Sequence, residues 1–508
     1  MATFASIRWL GYVGFPTGIA AKHQRQRLGR QREFLHMTAS STVLHVSLAA
    51  HLASEINRGM WAPGQRIPSV RELSRSHAIS VTTVLAAYRA LEDKRLIESR
   101  PQKGFFVCAP QDAHSQRANP LLYAERVDAP VSYDALNSLD GLPDLISFGT
   151  ALCSDDFFPV DALARSISST ARKHSELLVE VSFSPGSKSL RESLAAHAST
   201  WNCRFPAEEV LITNGCVEAF GLCLQAVAKP GDVVFVESPA YYGFLSTISQ
   251  LGMLAMPLPF HTSPANAIAE MMRLADKRPV GACLMSTCVS NPAGVSMSNE
   301  FKEKLVESLE ARAIPLIEDA TFSDLHFGSA QRAAKSYDQT GNVLLCSSLT
   351  KTLAPGLRIG WVSGGRHHQN LVARKRTMSI GQPLLIQEAM GEFLGGGGYQ
   401  YHLRRLKRQC QGQVSETASM VTRFFPPETY FDMPGGGYLL WVRLPQGISS
   451  KELARRACQE GITVAPGTLF SPIGAFDDHI RLNCGYRLNE KRQAALRRLG
   501  EIVHELQC

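Results

Sequence analysis

Ser347-Ser348-Leu349-Thr350-Lys351-Thr352-Leu353-Ala354-Pro355-Gly356-Leu357-Arg358-Ile359-Gly360-Trp361 is the stretch that decides how the rest of the chain is read. A lysine set among small hydroxyl residues, with an arginine seven positions on, is what a Schiff-base site needs. The amine condenses with an aldehyde, while the hydroxyls and the guanidinium hold a phosphate.

Length and composition frame that reading. At 508 residues the chain is too long for one ordinary domain. Its 44% hydrophobic and 19% charged residues are those of a soluble globular protein with a large core. No apolar run approaches the roughly 18 to 20 residues that span a bilayer, so no membrane partner is expected. The net charge of +8 permits an anionic partner without demanding one. The 12 cysteines form no CxxC pair and no regular framework, which reads as reduced thiols in the cytoplasm and gives no metal site. Residues 1–36 carry Arg8, Lys22, Arg25, Arg27, Arg30 and Arg32 with no acid before Glu33, and are expected to be a disordered basic extension.

From about Asp144 short apolar runs alternate with longer helical patterns, as βα units do. Strands are expected at Val210–Thr213, Val233–Glu237, Ala282–Ser286, Pro315–Asp319, Val343–Ser347 and Arg358–Val362. The residues able to do chemistry fall just past their ends, the edge where open α/β sheets bind ligands. Gly215, Cys216 and Val217 join a strand to a helix, so their amides suit a phosphate. Ser348 and Arg358 supply further phosphate donors. Tyr241, after Glu237-Ser238-Pro239-Ala240, is placed to stack on a ring. Glu318-Asp319 ends a strand with a carboxylate. Asn291, Asp319, Lys351 and Arg358 follow one another at spacings of 28, 32 and 7.

These runs resemble the pyridoxal 5′-phosphate (PLP) site of fold-type I aminotransferases, a resemblance that spans roughly residues 144 to 505. It implies a large mixed, mostly parallel sheet with helices on both faces, and a small α+β domain. It also implies Lys351, Asp319 and Tyr241 as the catalytic set, Asp319 pairing with the pyridine nitrogen. The Asn291-Pro292-Ala293-Gly294 turn would bond the ring oxygen O3′. Met433 to Trp441 and Val464 to Phe470 match the family's small-domain signatures. Arg481, in Ile480-Arg481-Leu482-Asn483, matches the arginine that grips a substrate α-carboxylate. Two departures stand out. The family's Asp-x-x-Tyr reads Asp319-Ala320-Thr321-Phe322, so the phenol that bonds O3′ is missing. The tyrosine that a dimer partner sends to the phosphate is replaced by the run Val181-Ser182-Phe183-Ser184-Pro185-Gly186.

The amino-terminal region reads differently. Val46, Leu48, Leu52 and Ile56 keep a helical face that Gly59 ends, and 61–64 make a turn. Ser69-Val70-Arg71-Glu72 is a capping box for a helix to about Ser76. Ser80 caps a longer helix from Val81 to Lys94, with Val84, Ala87, Tyr88 and Leu91 inward. Leu96 to Ser99 and Phe105 to Val107 are strands around a turn holding Lys103 and Gly104. Helix, helix, helix, hairpin is a winged helix-turn-helix. The run Pro63 to Leu73, with Thr82-Thr83-Val84 and the Gly104-Phe105-Phe106-Val107 wing, resembles the GntR family of bacterial DNA-binding regulators. The helix bearing Ser80, Thr82 and Thr83 would enter the major groove. Arg66 and Arg71 would clamp phosphates, and Lys103 with Gly104 would bring the wing tip to the backbone. Positions 43 to 107 hold nine Lys/Arg against five Asp/Glu, about +4 net. Val81 stands where the family often carries arginine, which shifts readout toward Thr82, Thr83 and DNA shape.

The expected organisation is therefore an extension over 1–36, a winged helix-turn-helix over 37–107, a linker over 108–141 and an aminotransferase-like domain over 142–508. A GntR-type reader fused to such a domain is the arrangement of the MocR subfamily. That resemblance implies a cytoplasmic PLP-dependent transcription regulator, a head-to-tail homodimer that binds promoter DNA and senses an amino acid or amine at Lys351. The alternative is a competent aminotransferase whose DNA-binding arm is secondary; Lys351 and Arg481 favour it and Phe322 weighs against it.

Overall fold

The structure, a computed structural model, describes residues 65–77, 79–93, 96–100, 104–108, 145–260 and 264–507, with His45, Leu48, Ala49, Leu52, Ala53 and Ile56. The expected basic extension, the linker beyond Cys108, the turn at 61–64, Val46, Gly59, Lys94 and the wing-tip Lys103 lie outside the described residues. The chain divides into two compact units, Met1–Ser115 and Gln116–Cys508. Among the described residues no helix is long and apolar enough to cross a membrane.

In the first unit the capping box forms as its residue types require. The Ser69 amide donates to Glu72 Oε2 at 2.7 Å, and the Glu72 amide donates to Ser69 Oγ at 3.3 Å, opening the helix Val70–His77. Ser80 starts the helix Val81–Asp93, its Oγ accepting the Thr83 amide at 3.1 Å. Strands β1 (Ile97–Arg100) and β2 (Gly104–Val107) make an antiparallel hairpin, and Arg66 bridges to Phe106 along its free edge. One core closes the unit: Leu48, Leu52, Ile67, Leu73, Val84, Tyr88, Leu91, Ile97 and Val107 are buried together. The Tyr88 hydroxyl, deep in that core, donates to the Pro68 carbonyl at 2.6 Å. A winged helix-turn-helix is the result.

The second unit is built on seven strands: β4 (Val210–Asn214), β5 (Val233–Glu237), β6 (Leu254–Leu258), β7 (Val280–Ser286), β8 (Leu316–Asp319), β9 (Val343–Ser348) and β10 (Ile359–Ser363). Their order is β4-β10-β9-β8-β7-β5-β6. Pairs from β9 through β6 are parallel, and β10 runs antiparallel to both β4 and β9. The strands are apolar on both faces because helices cover both. Val234 and Val236 pack with Phe220 and Phe244 on one side, while Val233 and Phe235 pack with Met271 and Leu305 on the other. That alternation is the period of two expected of a strand buried twice.

A smaller α+β layer follows. β11 (Leu439–Arg443), β13 (Ala465–Pro466) and β14 (His479–Asn483) form an antiparallel sheet in the order β11-β14-β13. Helices Gly398–Phe424, Ser450–Gln459 and Glu490–Glu505 close over it around Val414, Leu453, Leu482 and Leu499. β3 (Ile146–Ser147) pairs in parallel with β12 (Ile462–Thr463), fastening residues 146–147 to this layer.

Candidate functional site

The chain leaves β9 at Ser348, turns through Lys351 and re-enters the sheet at β10 just after Arg358. Because β10 runs antiparallel to β9, both residues lie at the same sheet edge. β4 contributes Gly215 there, directly after its last residue, and β8 ends on Asp319.

Lys351 Nζ donates to the Ala151 carbonyl at 2.7 Å, and the Tyr438 hydroxyl donates to the same oxygen at 3.2 Å. Part of the lysine surface reaches solvent, yet protein surrounds its amine closely. Burial, with the Arg481 and Arg358 guanidinium charges, lowers its value to about 8 from 10.5; Asp319 and Cys153 pull the other way. Asp319 is buried. Its Oδ1 accepts the Thr321 amide at 2.9 Å and faces the Cys216 thiol at 3.9 Å. Desolvation outweighs those bonds and raises the carboxyl to about 6. Its neighbour Glu318 points to the other side of the strand, where the amides of Ala334 and Lys335 and the Thr287 hydroxyl satisfy it.

Gly215 has φ +78, and a Cβ there would stand 2.5 Å from Arg358 Nη2. Arg358 lies over the opening of the helix Cys216–Val227, exposed, its Nη2 3.4 Å from the Asn214 carbonyl. Cys216 is buried and Val217 exposed on that first turn. Ser348 Oγ accepts the Thr350 amide at 3.0 Å, while Thr350 Oγ1 is buried with no partner among the described residues. Tyr241 precedes the helix Tyr242–Gln250, its ring 4.8 Å from that of Tyr242 and edge-on to Phe244 at 5.4 Å.

Arg481 is fully buried. Its Nη1 donates to Asn291 Oδ1 at 3.0 Å and its Nη2 to the Gly149 carbonyl, while Nε has no partner among the described residues. The rings of Tyr242 and Phe470 flank its guanidinium at 5.6 and 5.1 Å. Phe322 packs edge-on against Tyr438 at 5.4 Å in an apolar cluster with Val289 and Leu325.

The structure thus pairs Gly215 with Arg358, Cys216 with Asp319 and Asn291 with Arg481, sets Lys351 among the charges of Arg481, Arg358 and Asp319, and leaves Val217 on the outer turn. Sequence reasoning missed the carbonyls of Gly149 and Ala151, which carry no residue-type signature, and Tyr438. It also missed a buried network behind the lysine loop. Asp324 accepts from Trp201 Nε1 at 2.8 Å, from His197 Nε2 at 2.9 Å and from the Tyr399 hydroxyl at 2.9 Å. Tyr399 bonds the Thr352 hydroxyl at 2.8 Å, and His402 Nε2 lies 2.7 Å from the Thr352 carbonyl. Burial pushes the Asp324 carboxyl up, but His197 and the other donors prevail and hold it below its ordinary value.

In the first unit Arg66, Arg71, Ser80 and Thr82 are exposed and Thr83 is partly so. Gly104 has φ +100, and a Cβ there would meet Arg66 Nε at 3.2 Å, so wing and arginine sit together.

Comparison with known proteins adds the following. Residues 146–499 match the model of aminotransferase class I and II, and residues 44–107 that of the bacterial regulatory proteins of the gntR family. The HTH-type transcriptional regulator YdcR of Escherichia coli K12 is 32% identical over 461 residues, covering 90% of this chain and 98% of that protein. The HTH-type transcriptional regulator NorG of Staphylococcus aureus USA300 is 24% identical, covering 87% of this chain and 100% of that protein. Among solved structures, LysN, an α-aminoadipate aminotransferase from Thermus thermophilus complexed with N-(5′-phosphopyridoxyl)-L-leucine, superposes with a TM-score of 0.68 at 25% identity, covering 75% of this chain and 96% of that one. The multiple substrate aminotransferase of Thermococcus profundus matches in fold with a TM-score of 0.68 at 24% identity, covering 74% and 95%.

Proposed function

Because the chain belongs to the GntR-type bacterial regulators that carry an aminotransferase class I and II domain, the MocR arrangement, we propose that it is a transcription regulator which reads promoter DNA and senses an amino acid or amine through PLP held at Lys351. The observation that carries this reading is a convergence on one sheet edge. A lysine amine brought to about 8, a buried carboxylate and an arginine lying over a glycine cradle stand together, in a chain that also holds a winged helix-turn-helix.

The residues present fit the cofactor. Arg358 and the amides of Gly215, Cys216 and Val217 would hold its phosphate, with Ser348 and the unpartnered Thr350 hydroxyl beside them. Asp319 would face the ring nitrogen, and a cation there would relieve the desolvation that now raises its value. Asn291, kept in place by Arg481, would approach the ring oxygen, and Tyr241 the ring face. When bound, the cofactor supplies an aldehyde for an amine and a ring that withdraws electrons from it. The protein's own part is to keep Lys351 neutral enough to act as a nucleophile, to fix the phosphate and to offer Arg481 to a carboxylate.

Phe322 is buried and carries no hydroxyl, so the site would lack the phenol able to share a proton at that ring oxygen, which favours sensing over turnover. A second reading, an active aminotransferase transferring an amino group to a 2-oxo acid, is favoured by Lys351 and Arg481 both standing in the site. We place the regulator in the cytoplasm as a head-to-tail homodimer. Leu178, Val179, Val181 and Phe183 are exposed, Phe183 by 65%, beside exposed Met378 and Ile380, and the Ser184 amide and hydroxyl tie the two segments through the Ile380 carbonyl. An exposed apolar face of this kind supports a dimer in which a second copy would cover it.

Visible absorption of the purified chain with added PLP, before and after a panel of amino acids and amines, tests both readings. A cofactor band absent from Lys351→Ala, shifted by a ligand without release of a 2-oxo acid, and accompanied by altered promoter binding is the expected result. Multiple-turnover release of 2-oxo acid with no ligand effect on DNA would replace it with the enzyme.

A further inference from the structure

Among the described residues of the first unit, the large apolar side chains are buried or partly buried with one exception. Val81 is 49% exposed, the single large hydrophobic residue so exposed among the described residues of that unit. It opens the helix Val81–Asp93, one turn before Val84 and on the same face as Val84, Tyr88 and Leu91, which the core covers completely. Val81 continues that apolar stripe, but among the described residues the core does not reach it.

Its neighbours sharpen the question. Ser80 Oγ lies 2.8 Å from Thr82 Oγ1 and 2.7 Å from Thr83 Oγ1, and accepts the Thr83 amide at 3.1 Å. Both threonine hydroxyls are thus engaged with the cap, which limits the hydrogen bonds this turn can offer to a base edge. The first turn carries no acid, so it can approach an anionic duplex. Arg66, Arg71 and Arg75 are exposed on the same unit, where they can hold phosphates.

In a helix-turn-helix the amino-terminal residues of the second helix meet base edges in the major groove. The one apolar feature a base presents there is the C5 methyl of thymine. We infer that Val81 is a specificity-determining residue that reads a thymine methyl in the operator. This rests on the DNA-reading function proposed above and deepens it: the turn selects thymine by apolar contact, whereas a long polar residue at the same position would select a hydrogen-bonding edge.

The test uses the full chain. Bound duplexes are selected from a random-sequence library, and each thymine of the selected site is then replaced singly by deoxyuridine, which removes only the methyl. Wild-type protein should bind about fourfold more weakly when the contacted thymine in a half-site is replaced, the change expected for one buried methyl group. Val81→Ala, at an exposed position and to a strong helix former, should bind the thymine and uracil sites equally. Equal wild-type affinity for thymine and uracil at every position overturns the assignment to Val81 while leaving the DNA reader standing. A selected site without thymine opposite this turn does the same. Failure to enrich any sequence overturns the DNA-reading function itself, and the inference with it.

Discussion

Replacing Asp319 by asparagine should stabilise the cofactor-free protein and shrink what the cofactor adds. The carboxyl is 8% exposed, with an amide and a thiol for partners, and burial raises it from 3.8 to about 6. Its folded value lies above its unfolded one. The group therefore exerts no penalty below about pH 4, a growing one as pH rises to about 6, and a full one above that. A shift of this size corresponds to about 3 kcal/mol at neutral pH, and to about half of that near pH 5. Asparagine has the same shape and its Oδ1 still accepts the Thr321 amide, but it carries no charge to desolvate. Cofactor-free Asp319→Asn should accordingly melt a few degrees above wild type at about pH 7.5, with a smaller difference at about pH 5. With PLP the order of gains reverses, because a charge pair at contact contributes about 4 kcal/mol at an effective dielectric near 20 before desolvation. Thermal denaturation with and without PLP at both pH values is the assay. A cofactor-free variant less stable than wild type at neutral pH, or equal PLP-induced shifts for both proteins, would refute the reasoning.

Further outcomes follow from the same geometry. Gly215→Ala puts a methyl 2.5 Å from Arg358 Nη2 and strains a backbone at φ +78, so PLP affinity should fall at least about tenfold by titration while the far-ultraviolet spectrum is unchanged. Lys351, at about 8 against 10.5, should be about one-tenth neutral at pH 7. Pulse labelling with an amine-reactive reagent should show its modification levelling off above about pH 8.5, whereas exposed lysines climb past about pH 10; Arg481→Gln should move the Lys351 midpoint upward, and a Lys351 profile indistinguishable from the surface lysines contradicts this. Ser80→Ala removes the amide cap of the helix Val81–Asp93, and hydrogen exchange in its first turn should quicken about fivefold, the effect of about 1 kcal/mol. Unchanged exchange there would show that the Ser80 bond contributes nothing.

Much of this architecture was legible because it is local or periodic. Val233–Glu237 was placed to the residue, and five other strands to within two residues at either end, since β-branched and apolar runs between turn residues have few other readings. The strand Leu254–Leu258 escaped notice because Pro257 interrupts it. A proline is tolerated there because β6 is the sheet edge, a fact of topology and not of the run itself. The capping box at Ser69 and the cap at Ser80 could be read from four residues each. The Asp324 network could not: His197 lies 127 residues before the carboxylate and Tyr399 75 residues after it. Arg481 was recognisable by type, but its engagement by a backbone oxygen was not.

That engagement has a consequence for affinity. The Gly149 carbonyl sits on the Arg481 fork and the Ala151 carbonyl on the Lys351 amine, both from one short segment that opens the second unit. If Arg481 takes a ligand carboxylate as proposed, the segment is an intramolecular competitor wherever that carboxylate claims the Nη2 donor on which the Gly149 carbonyl now sits. Under that reading, ligand affinity measured on the whole protein would be the pocket's intrinsic affinity multiplied by the fraction in which the segment has left that donor. The retaining bonds that set this fraction lie outside the pocket. Asn483 Nδ2 holds the Leu152 carbonyl at 2.7 Å, and Arg492 Nη1 holds that of Ser147 at 3.1 Å. Sensitivity to ligand would thus be adjustable from positions that no ligand touches.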